Sequence, residues 1–89
     1  MQKHRFAIHI GGDNPDHMKE GFIAVMNAAR ALDEALRNTA PNGRNYYVLL
    51  TGEEDLRDDV NEYQATRRKA EEIRAWAEEG AMRVLEQTR

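Results

Sequence analysis

Six apolar residues, Met18, Phe22, Val25, Ala29, Leu32 and Leu36, recur at spacings of four, three, four, three and four. A period of roughly 3.5 keeps one edge of a helix against a partner helix. A chain with this seam must form a helix there and must find something to cover it. Asn14 followed by Pro15 supplies the start. The Asn side chain accepts from the free N–H groups of the first turn, and Pro fits the first helical position. Asp16 suits the positive end of the helix dipole. The helix is expected over Pro15 to Asn38. Ala24, Ala28, Ala31 and Ala35 raise its propensity, and Arg30 with Glu34 and Asp33 with Arg37 can pair one turn apart on its outer side.

The flanking segments read differently. Arg5 to Ile10 alternates, with Phe6, Ile8 and Ile10 on one face and Arg5, Ala7 and His9 on the other, which predicts a strand with one wetter face. Gly11-Gly12 ends it. Thr39 to Gly43 breaks the helical pattern. Asn45 to Thr51 is apolar on both faces and predicts a second, more central strand. Thr51 with Glu54 has the spacing of a capping box, and Asp55 or Asp58 are alternative caps. A second long helix should follow over Leu56 to Gln87. Its apolar set, Val60, Tyr63, Ala70, Ile73, Trp76, Ala77, Ala81, Val84 and Leu85, is thinner than the first seam. Arg67, Arg74 and Gly80 interrupt it. A helical glycine costs about 1 kcal/mol against alanine, so Gly80 marks close packing or a bend.

The expected fold is therefore α+β, a single β-α-β-α domain over residues 1–89 with two strands and two long helices. Two strands leave open sheet edges. A homodimer completed by a four-stranded sheet or a four-helix cluster would relieve this, and the seam would then be covered partly by a second copy.

Composition narrows the chemistry. The 89 residues include no cysteine, which excludes disulfides, thiolate metal sites and cysteine catalysis. No run of about 18 apolar residues predicts a transmembrane helix. The basic Met1 to Arg5 stretch is followed by no signal-peptide core, so a cytosolic setting is expected. The formal charge is −3, with 33% charged residues of both signs interspersed. That argues against a duplex DNA binder, which needs a basic face to displace counterions.

Four places merit attention as sites. The Gly11-Gly12 junction resembles an anion-binding helix start but lacks the three spaced glycines of a dinucleotide fingerprint, and a tight turn explains it better. His9 and His17 with a nearby carboxylate suit a metal such as zinc, yet no H-E-x-x-H pattern supports them; no metal or other cofactor is expected. Tyr63, Arg67, Arg74 and Trp76 form a candidate nucleotide or interface site, since arginine forks and aromatic faces hold phosphates and bases. Glu71 and Glu72 lie one turn after Arg67 and Arg68, so a solvated, self-paired helix face is the competing reading. Glu53, Glu54, Asp58, Asp59 and Glu62, with Asp55, form an acidic cluster without EF-hand spacing. The helix dipole accounts for part of it. As a function it would be a docking surface for a basic partner, one imitating nucleic-acid charge. No Ser-His-Asp set, P-loop or nucleophile elbow is present, so no enzyme activity is expected.

An opening segment His4 to Gly11 that leads straight into a helix, with a charged C-terminal helix ending the chain, resembles the small accessory proteins of phages and prophages. The resemblance is one of layout along the whole chain, and no motif transfers residues. It implies a non-enzymatic role in host takeover or defence evasion, as in anti-CRISPR-like and signal-sequestering proteins. The leading expectation is a cytoplasmic, dimeric binding protein that occupies a host protein or complex. The alternatives are a nucleotide-signal sponge and a structural subunit of a larger particle.

Overall fold

The computed structural model describes residues 4–8, 14–46 and 51–88. Two long helices dominate it: α1 (Pro15–Arg37) and α2 (Gly52–Gln87), of 23 and 36 residues. A short 3-10 turn at Gly43–Tyr46 lies between them. Phe22 meets Gly80 while Asp33 meets Arg67, so the helices run antiparallel.

The α1 start is as the sequence predicts. Asn14 Oδ1 accepts from the His17 N–H at 3.1 Å, with Pro15 in the first turn. At the other end, Thr39 Oγ1 donates to the Leu36 carbonyl at 2.7 Å. The α2 start differs. It begins at Gly52, and Thr51 makes no side-chain cap bond to the backbone. Its hydroxyl donates instead to Asp55 Oδ2 at 2.7 Å. The chain folds back so tightly here that a Cβ on Gly52 would run into the Tyr46 carbonyl oxygen.

The expected α+β class is overturned: among the described residues there is no strand, and the β-α-β-α order gives way to a helical hairpin. The alternation itself survives over residues 4–8. His4, Phe6 and Ile8 are half-buried while Arg5 and Ala7 are exposed. What covers the inner face is helix rather than sheet. The Phe6 carbonyl accepts from Arg83 Nε at 2.6 Å and Gln87 Nε2 at 3.1 Å, and the Ile8 N–H donates to Gln87 Oε1. The Gln87 amide thus serves a carbonyl and an N–H of this segment, as the backbone of a neighbouring strand would. A period of two reports one covered face and says nothing of the covering element. Residues 9–13, with His9, Ile10 and the glycine pair, lie outside the described residues. In the second expected strand, Asn45 and Tyr46 belong to the 3-10 turn, the Asn45 N–H donating to the Asn42 carbonyl at 2.9 Å. Residues 47–50 lie outside the described residues. The four-stranded sheet at a dimer join falls with these strands.

The seam on α1 consists of two rows at seven-residue spacing. Phe22, Ala29 and Leu36 turn toward α2, and Ala29 is 5% exposed. Met18, Val25 and Leu32 lie along one flank, where Leu32 keeps 46% of its surface. Across from the first row, α2 presents Ala70, Ala77, Ala81 and Val84, all buried, and Val84 is the largest fully buried side chain among the described residues. Alanines at these positions let the helix axes approach to about 8 Å, the close end of the usual range. Phe22 is the bulky plug at the far end of this row. Its ring sits over Gly80, where an added Cβ would come within 2.6 Å of Cδ1 and Cζ. Around it gather His4 at 5.0 Å, Trp76 at 5.6 Å and Phe6, nearly parallel, at 5.8 Å between ring centres. His4 Nε2 donates to the Trp76 carbonyl at 2.6 Å, since a carbonyl can only accept.

The result is a rod of 65 × 21 × 17 Å with a radius of gyration of 19.1 Å. A compact domain of this length would have about 12 Å.

Gly80→Ala tests the plug. Helix propensity alone would stabilise the variant by about 1 kcal/mol. The clash with a ring wedged among three others should instead destabilise it by about 1–3 kcal/mol. Urea unfolding followed by helical circular dichroism reads the sign, and a gain in stability would mean that Phe22 does not occupy this notch.

Candidate functional site

The Asp33–Arg67 contact sets the register of the two helices. One turn later α1 stops at Arg37. From Gly52 to Glu62, α2 continues about 16 Å past that point, with the 3-10 turn packed against it. These eleven residues hold six acids, Glu53, Glu54, Asp55, Asp58, Asp59 and Glu62, and one base, Arg57. Their net charge is −5 against −3 for the whole chain, so the remainder is net +2. The negative charge of the protein is concentrated at one end of the rod.

Helical geometry puts five of the six acids, Glu54, Asp55, Asp58, Asp59 and Glu62, within one arc of about 140°. Glu53, Glu54, Asp58, Asp59 and Glu62 are exposed and Asp55 is half-buried. Asp59 is oriented by the Tyr46 hydroxyl, which donates to it, and this bond holds the phenol above its ordinary pKa. Asp55 is oriented by Thr51. Among the described residues, none of Glu53, Glu54, Asp58 and Glu62 joins an ion pair. The helix dipole favours the three acids of the first turn. It does not reach Asp58, Asp59 and Glu62, and the like-charged pairs Asp55–Asp59 and Asp58–Glu62, four residues apart, oppose the helix.

The second candidate set is dispersed. Arg67 reaches across to α1, where Nε meets Asp33 Oδ1 at 3.0 Å and Nη2 meets Asp33 Oδ2 at 3.3 Å. Its guanidinium also lies 6.0 Å from the centre of the Tyr63 ring. Arg37 joins the same carboxylate at 3.1 Å, the expected pair on α1. Arg74 is enclosed on its own helix by Glu71 at 2.6 Å and Glu78 at 2.8 Å. Trp76 stands nine residues beyond Arg67, about half a turn around the helix, among His4 and Phe22. Tyr63 and Arg67 therefore come together, while Arg74 and Trp76 do not join them. Arg67 serves the hairpin and Arg74 pairs within α2, and the expected pairing of Arg67 with Glu71 is replaced by the contact between helices.

Among the described residues no three His, Cys, Asp or Glu side chains are grouped to hold a metal ion. His17 is exposed in the first turn of α1, and His9 lies outside the described residues. Three participants carried no sequence signal: His4 as the residue under Trp76, Gln87 as the partner of residues 6 and 8, and Asp33 as a bridge between helices. Each acts across more than thirty positions of chain, beyond any local pattern.

No protein-family model, curated protein or solved structure matches the chain.

The Asp33 bridge gives a pH dependence. The hydrogen bond from Arg67, with the charges of Arg67 and Arg37, holds the Asp33 carboxyl below its ordinary pKa. Arg74 does the same to Glu71. A depressed carboxyl contributes stability above its unfolded pKa and loses it as pH falls through the folded one, so the hairpin should weaken below about pH 4. Asp33→Asn should melt earlier than the parent at neutral pH and show a shallower fall of melting temperature on acidification. Parallel curves for the two proteins would show that the bridge is not formed in solution.

Proposed function

We propose that this chain is a non-catalytic binding protein that docks the acidic end of α2 onto a basic surface of a partner protein. One observation carries the reading: carboxylates beyond the first helical turn stand exposed in a common arc, on a helix they do not stabilise, past the point where α1 ends. A surface kept at a cost to the helix is accounted for by what it contacts. A row of carboxylates on a rigid rod complements a groove lined with Lys and Arg, as on proteins that bind nucleic acid, and speeds encounter by long-range attraction. A host protein or complex of that kind is the partner class that fits. The nucleotide-sponge reading draws less support, because Tyr63, Arg67, Arg74 and Trp76 do not converge within one chain.

The test takes the full chain, recovers its partner from the native cell, and titrates the purified partner. Reversing Glu53, Glu54, Asp58 and Glu62 to Lys should weaken binding by roughly tenfold or more, and added salt should weaken the parent complex in the same direction. Asp59 is left in place because it holds Tyr46. Unchanged affinity for the reversed variant, with its helicity intact, would refute the assignment.

A further inference from the structure

The charged residues of α1 are unevenly placed. Asp16, Lys19, Glu20, Arg30, Asp33, Glu34 and Arg37 all fall within one arc of about 140°. The opposite half of the helix carries no Asp, Glu, Lys or Arg along its whole length, and exposed His17 is its one ionisable residue. Part of that half faces α2. The rest is exposed: Gly21, Ala24, Ala28, Ala31, Ala35 and, at 46%, Leu32. It merges with an open groove of about 330 Å³ between the helices, lined by His17, Met18, Gly21, Phe22, Val25 and Trp76. The apolar row Met18–Val25–Leu32 runs along this flank, and the described residues leave it incompletely covered.

We propose that this uncharged half of α1 is the interface with a second copy of the chain, α1 packing antiparallel against its counterpart about a two-fold axis near Ala28. Three observations select that occupant. First, a face with no charge is complementary to itself, whereas a partner chosen by charge would find nothing to pair with. Second, the apolar surface does not stop at α1: it continues across the groove onto half-buried Trp76 of α2, which faces Met18, Phe22 and Val25 there. Third, among the described residues the closed core is four alanines and Val84, and with no cysteine there is no disulfide to support it. Small domains with so little buried bulk gain stability by association. Charge decides the direction: a parallel pair would bring two acidic ends together, while the antiparallel pair keeps them at opposite ends of a four-helix assembly.

This inference is independent of the partner-binding reading. Sedimentation equilibrium of the full chain should give twice the chain mass. Ala28→Glu, at an exposed position, should give a single-chain mass with helicity retained. Asn27→Glu, one residue away on the other side of α1, should leave the dimer intact. Because the chain has no cysteine, Ala28→Cys should form a covalent dimer on oxidation far faster than Asn27→Cys. This second readout decides the matter should Ala28→Glu lose helicity. A single-chain mass at every concentration would overturn the proposal, as would equal cross-linking at positions 27 and 28.

Discussion

The seating of Phe22 on Gly80 is the contact on which the rest of this structure depends. It fixes how far α1 lies along α2, because a bulky ring can enter the facing helix only where a side chain is missing. It then provides the surface on which His4, Phe6 and Trp76 collect. Once Phe6 is stacked there, its carbonyl comes within reach of Arg83 and Gln87. The same register brings Asp33 level with Arg67 at the other end of α1. One notch therefore sets the N-terminal segment, the helix alignment and the ionic bridge.

Between those two anchor points the helices meet through alanine. Close approach of small side chains excludes water but removes little apolar surface per residue, so the hydrophobic gain is modest. This explains the shape. The chain is drawn into a thin rod, and its charges are sorted along that rod rather than around a globule. One flank of α1 is free of charge, one end of α2 is strongly acidic, and ion pairs occupy the middle of the hairpin. Each region has its own physical consequence, and the proposed partner surface and the proposed copy interface do not compete for the same residues.

The legible part of this fold was periodic or local. The seam from Met18 to Leu36, the Asn14-Pro15 cap, the extent of α1 and the C-terminal end of α2 follow from spacing and propensity, whereas α2 begins at Gly52, four residues ahead of the expected Leu56. Gly80 was recognisable as a site of close packing, although its occupant was not. The strands failed for a definable reason. Residues 4–8 alternate because one side rests on other atoms, and a helical pair supplies that support as well as a sheet does. Asn45 and Tyr46 carry β-prone neighbours, yet their own backbone closes a 3-10 turn. At the candidate sites, the acidic cluster was visible as composition, whereas its position beyond the end of α1 depends on register. The separation of Arg67 from Trp76 follows from helical spacing alone, nine residues being half a turn, whereas the capture of Arg67 by Asp33 and of Arg74 by Glu71 and Glu78 is shown only by the packed structure.

The most direct test of this account is the proton spectrum of Gly80. With the Phe22 ring against its Cα, the two Hα resonances should lie well upfield of ordinary glycine positions through the ring current. They should show nuclear Overhauser contacts to the Phe22 ring protons and return to normal in Phe22→Leu. Gly80 Hα resonances at ordinary positions, with no contact to Phe22, would contradict the register on which the hairpin, its N-terminal segment and both proposed surfaces rest.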